Sequence, residues 1–595
     1  MRRMVPLLLV AAWLLASGAD RALGGDWPQW CGSQGKNMIS DEKGLPDSFV
    51  PGDKLSRERR IDLATAKNVR WGVKVCDAFY STPSVAGGRI FIGGLESGRG
   101  VFACLDEATG KLLWRWEAPP RAVPREIDGF QIGIGVIPQQ IGVCATAAIE
   151  GDRVYFVSNR FDVLCLDARG QAPGAGAAND ESNFGLDGLR RSEIPAPKLD
   201  LSPSRVVARP PDRATDPSAG HHRRPKDLRS APSAGSKTRA ELDAPSAESK
   251  TVAERQARVV WAYDTWKELG VFPCDAANGS PLIDGDLLYV PTSNGVDRNS
   301  FQNPYREKER RFPALNAPNV VVLDKNSGRL VAVDEAPIMK HLLHGQWSSL
   351  SLGKVGGRRL AFYGGGDGLC YAFEALASVP KEKEVIRLKT VWSCDCIPPE
   401  YKATGDMDWI TYYCLGDRRV KGTLNKHDGT FMGESEIIAT PVFLDNRVYV
   451  AIGRDPAHGR GRGALHCIDA TLTGDITQTG KIWTYQGLDR TLSTVSVAGG
   501  LVYVSDVAGR LHCLDARTGK LHWIHDARCE TWGSTLVADG KVYMPTSKGL
   551  WVLAAGKQLK VLSRINLGAK VDASPVAANG TLYVATSAGW LWAVR

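Results

Sequence analysis

The 595-residue chain carries none of the compact signatures of common catalytic chemistry: no nucleophile elbow, no paired-histidine zinc helix and no C-x-x-C-H haem-attachment motif. It also has no basic stripe interleaved with aromatics. The formal charge of +9 is modest for this length and its lysines and arginines are scattered among acids, which argues against a nucleic-acid partner. Long apolar runs are missing too, apart from VPLLLVAAWLLA within residues 1–25, which follows Arg2 and Arg3. That layout is expected of a secretory signal peptide, the run being short for a bilayer span. No later stretch has the length of a membrane helix, and no Cys stands at the expected cleavage region. The expectation is an exported chain of the periplasm or cell envelope, with no lipid-bearing Cys and no transmembrane segment after signal removal.

What is abundant is a short repeated pattern. From Leu492 to Trp523 the chain reads LSTVSVAGGLVYVSDVAGRLHCLDARTGKLHW, in which alternating apolar positions predict four short strands separated by glycine-containing turns. In the turn DARTGK, Asp515 and Thr518 can hydrogen-bond the backbone, Gly519 supplies a positive φ, and Lys520 opens the strand that carries Trp523. The pattern returns at a period of about 40 residues, the mark of stacked supersecondary units. Inner strands are placed near Ser81, Cys144, Ser280, Ser348, Thr440, Ser493, Ser534 and Ser574.

The eighth unit stops at Arg595 after its third strand. The missing fourth strand is found near the other end of the chain as NVRWGVKV, where Trp71 takes the strand position held by Trp114, Trp261, Trp392, Trp483 and Trp523 elsewhere. Closure of the last sheet by this strand leaves no long unpaired edge. The fold expected is therefore all-β: an eight-bladed β-propeller of four-stranded antiparallel blades over residues 69–595, closed by an N-terminal strand. Residues 26–68 precede it as an N-terminal surface segment whose two tryptophans are expected to pack on the outside. Residues 170–257, rich in Ala, Pro, Ser and mixed charge, are expected to form a disordered insert within blade two.

Of the 13 cysteines, Cys104, Cys165, Cys370, Cys467 and Cys513 recur at one third-strand position, as a small buried side chain repeated with the fold would. Among the remainder, spacing favours Cys414 with Cys394 or Cys396 as a local pair.

In a four-stranded meander, the second-to-third loops and the connections between blades share one face. That face carries the long loops of blades three and five, and recognition is expected there. The residues just before each inner strand should ring the mouth of the central channel: Tyr80, Gln140, Asp275, Asn278, His344, Trp347, Glu436, Asp489, Arg490, Trp532 and Asp572. Aromatic faces, carboxylates and amides in such a collar suit a polar small molecule or glycan, or a protein partner; equally, they suit hydrogen bonding between blades. His341 and His344 form H-x-x-H, too little for a metal site without further ligands. GGGDG at Gly364–Gly368 joins two strands and reads as a hairpin rather than a phosphate loop.

The motif LDAxTGKxxW, at Leu514–Trp523 and closely at Leu105–Trp114, resembles the tryptophan-docking repeat of pyrroloquinoline-quinone (PQQ)-type propellers. Together with DWPQW, KNVRW, KELGVFP, SNGVD, LHGQWSS, GGGDG, SEIIATPVF, RVYVAIG, DRTLSTVSVA and GSTLVADGKVYM, it is similar to exported bacterial PQQ-binding-like β-propeller repeat proteins of the quinoprotein alcohol dehydrogenase-like superfamily, over nearly all of the chain outside the insert. Quinoprotein dehydrogenases of this type carry adjacent cysteines beside the quinone; here the nearest approach is Cys394-Asp395-Cys396, and Cys31 stands where the opening motif has Arg. The resemblance implies a non-enzymatic binding or scaffold propeller with an envelope partner. Its alternatives are a PQQ- and calcium-dependent dehydrogenase of alcohols or sugars, and a carbohydrate-binding propeller.

Overall fold

The computed structural model describes residues 25–119, 126–127, 130–131, 141–171, 255–271, 277–295, 314, 316–338, 342, 345–381, 384–397, 436–453 and 462–595. Among the described residues eight blade sheets follow one another along the chain, as the repeat predicts, each a four-stranded antiparallel meander, and a separate two-stranded sheet is made by Glu126–Ile127 and Phe130–Gln131. From inner to outer strand, blade 1 is Ser84–Ala86, Arg89–Glu96, Arg99–Asp106 and Leu112–Glu117. Blade 6, the unit from which the repeat was read, is Ser496–Ala498, Leu501–Ser505, Arg510–Asp515 and Leu521–Asp526. The inner strands of blades 2–5 are Ala148–Glu150, Leu282–Asp284, Leu350–Val355 and Val442–Leu444; those of blades 7 and 8 are Leu536–Ala538 and Val576–Ala578.

Blade 8 closes the ring. Val69–Lys74 pairs antiparallel with Trp590–Val594, placing Trp71 opposite Ala593. A hairpin, Val50–Leu55 with Arg60–Lys67, continues the sheet outward.

Each third strand lies between two neighbours and is largely buried on both faces. Asp162–Asp167 and Trp590–Val594 are buried along their whole length, and the recurrent cysteines are all fully buried. Aromatic stacking fills the wedges between blades: Phe102 on Phe156, ring centroids 4.2 Å apart, and Phe362 on Phe443 at 5.2 Å.

The turn before the outer strand forms as its residues dictate. Asp515 Oδ1 accepts from the Thr518 amide at 2.9 Å and from its hydroxyl at 2.8 Å, and Gly519 has φ 70°. The glycine has a second reason to be there. A Cβ on it would lie 2.6 Å from the Trp483 ring of the preceding blade, and Gly110 and Gly328 meet Trp71 and Trp261 in the same way at 2.7 Å. Those outer-strand tryptophans donate Nε1–H to a turn carbonyl of the next blade: Trp71 to Glu107, Trp114 to Ala168, Trp261 to Lys325 and Trp483 to Ala516, at 2.9–3.1 Å.

Of the opening segment 26–68, the hairpin of residues 50–67 lies at the outer edge of blade 8, but the first part does not lie outside. Residues 27–40 make one circuit inside the ring, visiting the eight blades in chain order. The Trp27 amide donates to Val85 O at 2.7 Å, and Ile149 N donates to Pro28 O at 2.7 Å. Gln34 Nε2 reaches Ile283 O at 2.9 Å, Leu352 N donates to Gln34 O at 2.8 Å and Phe443 N to Gly35 O at 2.9 Å. Asn37 bonds both backbone groups of Val497, Val537 N donates to Met38 O at 3.0 Å, and the Ser40 hydroxyl donates to Ala577 O at 3.0 Å. The blade residues touched are equivalent, one on each inner strand. An innermost strand has an unpaired edge facing the axis, and this circuit satisfies it. Trp27, Cys31, Lys36 and Met38 are buried as a result, so the segment packs against the inner wall of the ring at this level.

The insert expected at 170–257 lies outside the described residues except at its ends. Arg255–Gln256 runs parallel to the outer strand of blade 1, Arg255 opposite Trp114. Among the described residues no helix is long and apolar enough to cross a membrane.

Candidate functional site: the collar of the axial channel

Three residues upstream of the circuit's anchor on each inner strand lies a ring of hydroxyls and amides that ties adjacent blades together. Thr146 N donates to Ser280 Oγ (3.0 Å), Ser280 N to Ser349 Oγ (2.9 Å), Thr440 N to Thr494 Oγ1 (3.0 Å) and Thr494 N to Ser534 Oγ (2.9 Å). Ser534 N then donates to Ser574 Oγ (2.9 Å) and Ser574 N to Thr82 Oγ1 (3.1 Å), joining blade 8 to blade 1. The two remaining junctions are made by Ser84 Oγ to Ala147 O and Ser348 Oγ to Ala439 O. Serine and threonine recur at these positions because only a short hydroxyl both fits near the axis and accepts the neighbour's amide proton.

The ring registers the blades against one another and so identifies the collar. Two residues further upstream stand Tyr80, Cys144, Asn278, Trp347, Ile438, Leu492, Trp532 and Asp572. Residues on either side are buried, as at Thr531 and Gly533 around Trp532 or Val571 and Ala573 around Asp572. Tyr80 and Trp532 are each 43% exposed, Trp347 is buried, and Asp572 is half-buried. Burial raises the Asp572 carboxyl above the usual carboxylate range; Glu530 adds to this and Lys570 opposes it. The Tyr80 hydroxyl is pushed up by burial and then by Cys144 and Asp572, its collar neighbours. Blades 7, 8 and 1 thus present an aromatic–carboxylate–aromatic arc, while blades 4, 5 and 6 present Trp347, Ile438 and Leu492.

Five of the eleven residues expected at the mouth occupy this position: Tyr80, Asn278, Trp347, Trp532 and Asp572. Gln140, Asp275 and His344 lie outside the described residues, as does His341. Glu436 is fully buried, in a bridge to Gly453. Asp489 and Arg490 serve a blade 6 network. The Asp489 amide donates to Asp506 Oδ2 at 3.1 Å, and Asp506 also accepts from Arg510 Nε at 3.0 Å and His512 Nε2 at 3.1 Å. Burial alone would raise Asp506, but the His512 hydrogen bond and the charges of His512 and Arg510 outweigh it and hold the carboxylate below its ordinary range. Cys144, Ile438 and Leu492 were not read from the sequence as collar residues. Aligning the inner strands on their hydroxyl-ring residue would have found them.

GGGDG closes the hairpin between Arg358–Gly364 and Leu369–Glu374, where Asp367 accepts from the Tyr371 hydroxyl at 2.6 Å. Cys394 and Cys396 are buried thiols, whereas Cys274 and Cys414 lie outside the described residues. Among the described residues, no group of three or more His, Cys, Asp or Glu side chains could hold a metal ion. Calcium takes six to eight oxygen ligands. The described collar has one carboxylate and one amide at its equivalent positions, fewer oxygen ligands than calcium takes.

The molecule is an eight-bladed β-propeller. Residues 461–595 match the family described as outer membrane protein assembly factor BamB. Among solved structures, BamB from Moraxella catarrhalis is similar at 12% identity and a TM-score of 0.45, covering 88% of this chain and 96% of its own. The quinohemoprotein alcohol dehydrogenase of Comamonas testosteroni is similar at 11% identity and a TM-score of 0.40, covering 92% and 82%. A computationally designed protein, Ika8, matches at 10% identity and a TM-score of 0.40, covering 88% and 97%. No curated protein matches the chain.

Proposed function

We propose that this chain is a non-enzymatic binding or scaffold propeller of the periplasm or cell envelope, using the collar face to hold a protein partner. The observation that carries the reading is the internal circuit of residues 27–40. It lines the inner edges at one level of the channel, and among the described residues Tyr80, Trp532 and Asp572 stand at the other. The match of residues 461–595 to an assembly-factor family supports a protein partner in the envelope. The outer-strand tryptophans, read as docking motifs, serve to fix the blades and leave the loops to recognition.

Placing a photo-crosslinking benzoylphenylalanine at position 532 tests the proposal. In envelope preparations it is expected to trap a discrete protein, while the same group in place of Arg517, on the opposite face, traps none. Equal trapping at both positions, or none at either, would overturn the reading. The exposed faces of Tyr80 and Trp532 also favour a second occupant, a saccharide stacked on the rings with Asp572 fixing a hydroxyl. A glycan array reports on it, with loss of signal in W532A. The third reading, a dehydrogenase, requires that PQQ with calcium raise the melting temperature and support dye reduction with alcohols or aldoses; neither is expected.

A further inference from the structure

The outer rim of the ring is finished unevenly, and the cause is the length of one loop. Beyond Arg255–Gln256 on blade 1, two more short strands add to an outer edge in parallel. Ile386–Leu388 lies beside Leu330–Asp334 of blade 3, and Gly474–Asp475 lies beside Thr390–Asp395 of blade 4, with Gly474 opposite Trp392. Each of the three comes from the connection that precedes the outer strand of the following blade. Where that connection is the tight turn, as at Asp324–Arg329 in blade 3 or Asp515–Lys520 in blade 6, no chain is left to reach back. Blade 8 is finished by its own hairpin.

The outer strands of blades 2, 5, 6 and 7 therefore have no fifth strand among the described residues. Three of these blades are consecutive. Their outer strands are Lys481–Tyr485, Leu521–Asp526 and Val561–Ile565. They hold exposed apolar side chains: Ile482, Leu521, Ile524 and Val561. Around them the charge is mostly positive, with Lys481, Lys520, Lys560 and Arg564 against Asp526 and Asp47, and on the blade 7 strand the Ser563 hydroxyl donates to Asp47 O of the opening segment.

We propose that the rim of blades 5–7, centred on Leu521–Asp526, is a strand-adding surface for an extended peptide segment of a partner protein that alternates apolar and acidic residues. The segment lies parallel to the blade edge, as the chain's own additions do on blades 1, 3 and 4. Main-chain hydrogen bonds hold it, its apolar side chains cover Leu521 and Ile524, and its carboxylates face the lysines and Arg564. This surface is separate from the collar and does not depend on the function proposed for it.

A fluorescein-labelled peptide of alternating valine and glutamate is the probe. Its anisotropy is expected to rise with the full chain, and L521K/I524K is expected to weaken binding by about tenfold or more. The charge variant K560E/R564E should weaken it with the apolar positions intact, which separates loss of contact from loss of fold. Amides of 521–526 should gain hydrogen-exchange protection. Binding that ignores both variants, equal binding of a valine–lysine peptide, or protection confined to the collar would overturn the proposal. So would a concentration-dependent dimer that L521K/I524K dissolves, because the edge would then pair with a second copy of the chain.

Discussion

Lys36 shows what a single residue is made to do at the axis. Its Nζ donates to Gln29 Oε1 at 3.0 Å and to Trp30 O at 3.1 Å, with no solvent exposure. Burial pulls its pKa from 10.5 down to about 7, and neighbouring Cys31 opposes the fall. Burial likewise drives the Cys31 thiol far above its ordinary value of 9.0. Between pH 7 and 10.5 the unfolded chain holds a proton on Lys36 that the folded chain has released, so this group makes stability rise with pH. Above pH 9 the unfolded Cys31 thiol loses a proton that the folded one keeps, and stability falls. The net gain is confined to the window from about 7 to 9 and amounts to about 2 kcal/mol. Denaturant melts across that window should show the rise in the parent and a flat profile in K36M. The turn glycines allow a second residue-scale comparison. Gly519 and Gly540 both have positive φ, but a Cβ meets the Trp483 ring at Gly519 and open space at Gly540. G540A is expected to cost about 1 kcal/mol of strain and G519A at least about 1 kcal/mol more, read from denaturant midpoints.

At the scale of elements, the internal circuit explains why the opening segment is polar and small. DWPQW supplies the edge bridge to Val85, Gly35 lies where a Cβ would come within 2.7 Å of Phe443 O, and Asn37 imitates a peptide group toward Val497. N37A leaves a buried amide and carbonyl of Val497 unpaired and should cost about 2 to 3 kcal/mol. Hydrogen exchange at Val497 should rise in that variant while exchange at Ile92, within blade 1, stays unchanged. The periodicity that locates strands is silent about this segment because its bonds run to eight inner edges and follow no period of their own. That is why residues 26–68 read as a surface stretch. The collar is legible only in part for a related reason. Polar and aromatic character picks out Tyr80, Trp532 and Asp572, but it also picks out Glu436, Asp489 and Arg490, whose partners lie within the blades. It passes over Cys144, Ile438 and Leu492, which share the position without the polarity.

At the scale of the molecule, ring closure couples every blade to two neighbours through tryptophans, hydroxyls and the central segment. Unfolding in urea followed by tryptophan fluorescence and by far-ultraviolet circular dichroism should give coincident transitions. A chain lacking residues 26–74 should separate them, since blade 8 then has no outer strand and no inner edge is covered. The sequence alone determined what is local and repeated: four strands per unit from alternation, the turn from DARTGK, eight units from counting, and closure from the stranded Trp71. These depend on backbone geometry that a few adjacent residues dictate. Only the tertiary structure decided where residues 27–40 lie, which collar positions are equivalent and which described rim edges gain a fifth strand. Each depends on contacts between residues hundreds of positions apart, brought together only when the ring closes.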